Sequence, residues 1–379
     1  MPFSTRPTGA ATLRPTPGLP RRSLLAAGLA LPLWPGAVSA LTPQRLQFPR
    51  DLGSHPDFRT EWWYITGSLS GDTPAQSFGF QLTFFRSRVA STQTMTSAFA
   101  AKQLLFAHAA ITDVAGKKLW HDQRLARAGF GVAQASETDT AVRLRDWSLR
   151  REGNTYRAQA AGAGFDFTLT LTETQPLLLQ GDRGLSRKGP EPKQASFYYS
   201  LPQLRTTGTL RLDGKAIGGK ALAVQGQAWL DHEWSDELLH PQAVGWDWIG
   251  MNLADGSALT AFQLRTKAGA ALWDGGSFRH PAMGLDQPPH VFSPGEVIFR
   301  PVRHWVSPLT GARYPVEWLV RTPADIYTVR AIVDNQELDS RASTGAVYWE
   351  GLSELIDSNG RPVGRGYLEM TGYTGRLQL

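Results

Sequence analysis

The residues with the greatest capacity for chemistry lie in two short runs. They are Trp229-Leu230-Asp231-His232-Glu233-Trp234-Ser235-Asp236-Glu237 and, seven residues later, Gly245-Trp246-Asp247-Trp248. Four tryptophans, five carboxylates and His232 fall within twenty residues. On a strand, alternate side chains share a face, so Leu230, His232 and Trp234 point one way and Asp231 and Glu233 the other. By the same rule Asp247 shares its face with Ile249, Met251 and Leu253. A carboxyl among apolar neighbours is desolvated, its pKa rises, and it keeps its proton near neutral pH. Asp247 is therefore a candidate proton donor, with His232 orienting that proton or a water. The indole faces can steady a developing cation. The same types also have structural uses: buried Asp and His tie barrel ends to backbone amides, and core packing is the ordinary role of Trp. Asp231, Glu233, Asp236 and Glu237 read as solvated or bonded to loops. His232, His240 and Asp236 show no recognisable zinc-ligand spacing, so no metal is expected.

The opening motif, His55-Pro56-Asp57-Phe58-Arg59-Thr60-Glu61-Trp62-Trp63-Tyr64, has a similar character. Glu61 can pair with Arg59 or with an arginine of the following strand, closing the fold. Near the end, Glu350 in Tyr348-Trp349-Glu350-Gly351 and Glu369 in Gly366-Tyr367-Leu368-Glu369-Met370-Thr371-Gly372-Tyr373 alternate with large residues. They face either a cavity or water. His108, after Leu104-Leu105-Phe106-Ala107, reads as a satisfied core histidine. The chain contains no Gly-x-Ser-x-Gly nucleophile elbow. The stretch Gly214 to Ala221 falls one hydroxyl short of a P-loop and reads as a glycine-rich hairpin.

The elements that must position these groups are strands. Phe78 to Phe84, Phe165 to Leu171 and Thr207 to Leu212 alternate apolar with polar or small residues, the pattern of strands with one buried face. Asp213-Gly214, Asp255-Gly256 and Ser358-Asn359-Gly360 are turn signals. Helical periodicity is confined to Thr96 to Leu105, where a short helix is expected. Many short strands at this spacing predict an all-β chain of antiparallel barrels or sandwiches. Two halves echo each other: Trp63 to Leu69, a Gly71 turn and Phe80-Gln81-Leu82 in the first; Trp248 to Leu253, an Asp255-Gly256 turn and Phe262-Gln263-Leu264 in the second. With the exposed-looking loop Asp182 to Lys193 before the boundary, the expected β domains are 41–205 and 206–379.

Composition agrees. Among 379 residues there are 38 glycines, 25 prolines, 13 tryptophans and no cysteine. The last excludes disulfides, a Cys nucleophile and thiolate metal sites. Residues 1–40 contain Arg6, Arg14, Arg21 and Arg22 and no acid; without them 35 basic residues face 33 acidic ones, a balance that gives no reason to expect nucleic acid. Arg21-Arg22, the apolar run Leu24 to Trp34 and Val38-Ser39-Ala40 read as a twin-arginine signal peptide over 1–40, implying a periplasmic or secreted protein. Eleven apolar residues are too few to span about 30 Å of hydrocarbon.

Glu61-Trp62-Trp63-Tyr64, Trp229-x-Asp231-His232-Glu233-Trp234, Gly245-Trp246-Asp247-Trp248 and Gly366 to Tyr373 resemble, in order, the motifs of the AttH/CrtC family. That group holds AttH-like secreted hydrolases and the carotenoid 1,2-hydratases (hydroxyneurosporene synthases). The resemblance runs from about Leu46 to Leu379 and implies two lipocalin-like β-barrels packed together around an apolar cavity. It also implies that a carboxylic acid protonates a C=C bond and water adds to the resulting cation. The family's His-x-Trp pair maps to His232 and Trp234, and its acid to Asp247. The expected site is thus Asp247 and His232 as catalytic groups, with Trp234, Trp246, Trp248, Trp229, Trp62 and Glu61 as substrate contacts. No cofactor or metal is needed. The expected ligand is a hydrophobic, isoprenoid-like or lipid-like small molecule, with room for a transient membrane contact; no protein partner is inferable. A carrier that binds such a molecule unchanged and an ester or lactone hydrolase are the alternatives.

Overall fold

Strands dominate the chain because β-branched and aromatic residues alternate with polar ones between glycine turns. The computed structural model describes residues 44–213, 221–237 and 239–376. The leader read at 1–40, and all but the last residue of the hairpin read at Gly214 to Ala221, lie outside these. The first thirteen strands are β1 (Thr60–Ser70), β2 (Ser77–Arg88), β3 (Gln103–Asp113), β4 (Lys118–Arg127), β5 (Ala133–Ala135), β6 (Ala141–Leu144), β7 (Trp147–Glu152), β8 (Thr155–Gly162), β9 (Phe165–Thr172), β10 (Leu178–Leu179), β11 (Leu185–Arg187), β12 (Ala195–Leu212) and β13 (Leu222–Glu237). They form one antiparallel sheet in the order β4-β3-β2-β1-β13-β12-β9-β8-β7-β6-β5, with β10 and β11 paired to β12. The sheet curls until β4 meets β6 and β8, enclosing a core that includes Trp63, Phe80, Tyr199 and Trp234.

Ten further strands follow: β14 (Gly245–Leu253), β15 (Ala258–Arg265), β16 (Ala271–Arg279), β17 (His290–Phe292), β18 (Ile298–Val306), β19 (Arg313–Arg321), β20 (Ile326–Ala331), β21 (Glu337–Ser340), β22 (Ala346–Ile356) and β23 (Pro362–Met370). Their order is β17-β16-β15-β14-β23-β22-β20-β19-β18, with β21 on β22. Ile249, Met251, Tyr314, Trp349 and Leu368 belong to the core of this sheet. The all-β architecture of two packed antiparallel sheets is the one the alternation predicts.

Two boundaries differ from expectation. The change of sheet falls between Glu237 and Gly245, whereas residues 205 and 206 lie inside β12 of the first sheet. The reason is β13, which pairs with β1 along its whole length, from Thr60↔Ser235 to Ser70↔Gln225, and so draws β12 with it. The loop Asp182 to Lys193, read as exposed, carries β11, which pairs with β12, and buries Ser186 and Lys188. Thr96 to Leu105 is not a helix. It is loop as far as Lys102 and strand from Gln103, which pairs with β2 from Arg88 onward; Met95 and Phe99 remain exposed.

The strands at the junction are covered on both faces. A third core, including Tyr64, Trp229, Trp248, Phe262, Leu352 and Tyr367, fills the space between the sheets. Gln203 ties them together. It sits at a bulge in β12 with φ of 57°, where its N–H donates to Asn252 Oδ1 at 2.8 Å. Its side chain donates to the carbonyls of Leu253 and Ser257, and Asn252 Nδ2 returns a bond to Ala228 O at 3.0 Å. The closeness of the contact is clearest at Gly79. A Cβ there would stand 2.6 Å from Tyr367 Oη and 2.9 Å from Leu352 Cβ, both on the opposing sheet. Gly79→Val is expected to wedge the sheets apart at a cost of about 1–3 kcal/mol, seen as a lower urea midpoint at unchanged slope. A midpoint equal to wild type would show that this contact yields freely.

Candidate functional site

Alternation on strands buried on both faces sends neighbouring residues into different chambers. Glu61, Trp63 and Ile65 of β1, and Leu230, His232 and Trp234 of β13, point into the first sheet's core. Trp62 and Tyr64, and Asp231 and Glu233, point the other way, into a cavity between the sheets. From the second sheet, Trp246 and Trp248 of β14, Tyr348 and Glu350 of β22 and Glu369 of β23 enter the same cavity. The cavity has a volume of about 90 Å³ and is partly open to solvent.

Four carboxyls meet there against aromatic walls. Asp231 Oδ1 accepts from Ser200 Oγ at 2.5 Å and Trp229 Nε1 at 2.7 Å. Burial nevertheless outweighs these bonds and pushes its pKa up to about 7. Glu369 is likewise raised by burial to about 7, against a hydrogen bond from Trp246 and with the nearby charges of Asp231 and Glu233 adding to the rise. Glu350, opposite Glu369 on the neighbouring strand, is pushed well above the carboxylate range by burial and then by Glu369; Gln81 Nε2 donates to its Oε2 at 2.6 Å. Glu233 has a different partner. Buried Lys188 lies 3.1 Å from Glu233 Oε1, with its ammonium over the rings of Phe262 at 4.3 Å and Tyr198 at 4.9 Å. The cavity thus holds an ammonium-paired carboxylate beside acids that keep a proton near neutrality.

A second constellation lies one residue away along the strands, inside the first sheet. Fully buried Glu61 accepts from His232 Nε2 at 2.9 Å, His55 Nδ1 at 2.9 Å, Ser54 Oγ at 2.7 Å and Arg86 Nε at 2.8 Å. Burial alone would raise its pKa, but the hydrogen bonds of His232 and His55 and the charge of Arg86 hold it well below the carboxylate range. Arg86 comes from the following strand, one of the two pairings open in the sequence. His55 Nε2 reaches Asp51 Oδ1 at 3.1 Å, and its ring stacks on Trp234 at 3.7 Å. His232 lies on Trp63 at 4.7 Å, and its Nδ1 is 3.0 Å from Tyr199 Oη. Burial pushes His232 down to about 4 against the pull of Glu61, so the neutral ring donates through Nε2 and accepts from Tyr199. His55, Glu61 and His232 bring three ligating atoms within 4.8 Å of one another. Arg86 and Ser54 already engage that carboxylate, however, and each ring nitrogen has a partner, so the cluster functions as a charge-balanced hydrogen-bond network.

Asp247 has the same device in the second sheet. It is fully buried, accepts from Gln263 Nε2 at 2.8 Å, Arg265 Nε at 2.9 Å and Tyr373 Oη at 2.9 Å, and faces the core of Ile249 and Met251. Burial raises its pKa and Arg265 opposes the rise. The expected site is therefore divided. Trp62, Trp246 and Trp248 line the cavity, and Trp229 abuts it through Asp231 and Trp248. His232, Trp234 and Glu61 lie behind it in the first core. Asp247 lies in the second core, held by an ion pair and turned from Trp246 and Trp248 by one residue of strand. Asp231 and Glu233, read as solvated or loop-bonded, are cavity walls instead; Asp236 and Glu237 do bond outside it, to Arg59 N and Lys193. His240 accepts from Gln242 N and does not join His232. Glu350 and Glu369 take the cavity side of the choice left open to them. Lys188 carried no sequence signal beyond its place in a basic loop. His108 is satisfied by Tyr348 Oη at 2.7 Å and Ser343 Oγ at 2.8 Å.

Two packed antiparallel β sheets thus meet at a carboxyl-lined aromatic cavity. The chain belongs to the AttH-like family, whose model matches residues 39–373. A crystallised AttH candidate from Nitrosomonas europaea is 45% identical, with a TM-score of 0.80 over 89% of this chain and 99% of that one. Kievitone hydratase from Nectria haematococca shares the fold at 15% identity, with a TM-score of 0.66 over 87% of this chain and 94% of its own. No curated protein matches the chain.

The buried network makes a pH prediction. His232 titrates near 6.5 when unfolded and near 4 when folded. Its contribution is complete above pH 6.5 and is lost as pH falls toward 4. The stability advantage of wild type over His232→Gln should shrink by up to about 3 kcal/mol across that window in urea titrations. An advantage independent of pH would mean that His232 is not held neutral by the fold.

Proposed function

We propose that this protein is an enzyme, needing no cofactor, that adds water to or isomerises a C=C bond of a small apolar molecule held between the sheets. The observation that carries the reading is a pair of carboxyls, Asp231 and Glu369, raised to about 7 within an aromatic cavity. In the proposed reaction one protonated carboxyl gives its proton to an alkene carbon, and the π electrons form the new C–H bond. The adjacent carbon becomes cationic beneath the faces of Trp62, Trp246 and Trp248. Water attacks that carbon and returns a proton to the carboxylate, so the sum is addition of one water. Loss of a proton from a neighbouring carbon gives isomerisation. The acid is thus assigned to the cavity carboxyls in place of Asp247, and His232 supports the wall from behind. A hydratase built on the same fold is compatible with this chemistry.

Mass spectrometry of an apolar lipid extract incubated with the protein in ¹⁸O-water tests the reading. One species should gain a whole labelled water, at a rate that falls as pH rises through about 7. Asp231→Asn or Glu369→Gln should lower that rate by about 10²–10⁴-fold. Two fragments with label in one would make the protein a hydrolase. An unaltered extract with one lipid co-purifying would make it a carrier.

The same reading includes export of the chain by residues 1–40, supported by Arg21-Arg22 and the apolar run after them. Replacing both arginines by lysine should trap an uncleaved precursor inside the cell. Undiminished appearance of the mature chain outside the cytoplasm would reject the twin-arginine route.

A further inference from the structure

One end of the first sheet carries a surface that the cavity chemistry does not use. The loop between β2 and β3 exposes Met95 and Phe99, and the turn after β4 exposes Phe130 and Val132; Phe99 is 79% and Phe130 60% exposed. Scattered exposed apolar residues are ordinary, but these two rings are joined. Phe99 and Phe130 stack with centroids 5.6 Å apart. The guanidinium of Arg127 lies 4.2 Å from the Phe130 ring and 5.9 Å from that of Phe99. It also donates to Phe99 O and, at 3.2 Å, to Ala98 O. Arg143 donates to Gly131 O at 2.6 Å, and Arg145 N to Val132 O. The tip is therefore built and held, and two arginines hold it.

Its charge is predominantly basic. The segments 88–103 and 123–135 contain Arg88, Lys102, Arg124 and Arg127 and no acid, and Arg143 and Arg145 add to them; the flanking acids are Asp122, which pairs with Arg124, and Glu137 and Asp139 beyond the segment. Aromatic and thioether side chains at a protruding tip, ringed by fixed cations, match the interfacial zone of a membrane. Apolar groups enter the acyl boundary there while Arg and Lys meet anionic headgroups. The strand feeding this loop also builds the cavity. β2 lines it through Thr83 and Phe85, ends at Arg88, and runs into the loop that bears Met95 and Phe99.

We infer that the Phe99–Phe130 tip docks the protein on an anionic lipid bilayer, bringing the cavity to the surface where apolar molecules reside. This does not depend on the reaction proposed above, because a carrier would use the same tip. Co-sedimentation of the protein with vesicles of phosphatidylcholine, with and without phosphatidylglycerol, tests it. Binding is expected to the anionic vesicles only and to weaken as salt rises. The double variant Phe99→Ser/Phe130→Ser should lower the bound-to-free ratio about tenfold or more. Both side chains are exposed, so its thermal midpoint should match wild type. No sedimentation with anionic vesicles, or sedimentation unchanged in the double variant, would overturn the inference. So would a dimer in sedimentation velocity that dissolves in the double variant while vesicle binding is absent, since the tip would then be a self-association surface.

Discussion

The architecture rests on one constraint: the strands at the junction are covered on both faces, so consecutive residues serve different interiors. Along β13, His232 and Trp234 complete the first core while Asp231 and Glu233 line the cavity. Along β14, Asp247 is locked to Arg265 while Trp246 and Trp248 face the opposite way. A slip of one residue would exchange the two sets and place charges in an apolar core. The long pairings of β1 with β13 and the bonds of Gln203 and Asn252 across the sheets fix that register.

The two interiors handle buried charge differently. Inside each sheet a carboxylate is matched to an arginine from the next strand, Glu61 with Arg86 and Asp247 with Arg265. Such pairs contribute order more than net stability, and loss of one partner strands the other. In the cavity, four carboxyls share one ammonium, that of Lys188. The excess is accommodated by retained protons, which is how burial shifts carboxyl chemistry toward neutral pH. Charge matched by arginine is structural; charge matched by protons can be given away.

This difference also marks what the sequence could reveal. Alternation over Phe78 to Phe84 and Phe165 to Leu171 declared strands, whereas the echo of Trp63 to Leu69 with Trp248 to Leu253 pairs residues that face different chambers, Trp63 in the first core and Trp248 in the cavity. The faces were read correctly too: Asp247 does lie with Ile249 and Met251, and His232 with Leu230 and Trp234. What alternation does not disclose is which face meets which chamber, because the second face of a strand is solvent in most antiparallel sheets. Asp231 and Glu233 accordingly read as solvated or bonded to loops. Lys188 was hidden for another reason: a loop whose composition reads as exposed folds back over β12 and buries one of its lysines. The boundary at 205/206 failed because β12 and β13 are longer than a typical strand.

The imbalance of charge in the cavity also acts as a filter. A fatty acid, a phosphate ester or any other anionic amphiphile would bring a negative charge among four carboxyls with only Lys188 to receive it. On the proposed reading an anionic guest would have to compete with Glu233 for Lys188 or enter neutralised. On the same reading a neutral guest would meet no such barrier among the indole and phenyl walls. The proposed chamber would therefore sort its guests by charge before it sorted them by shape.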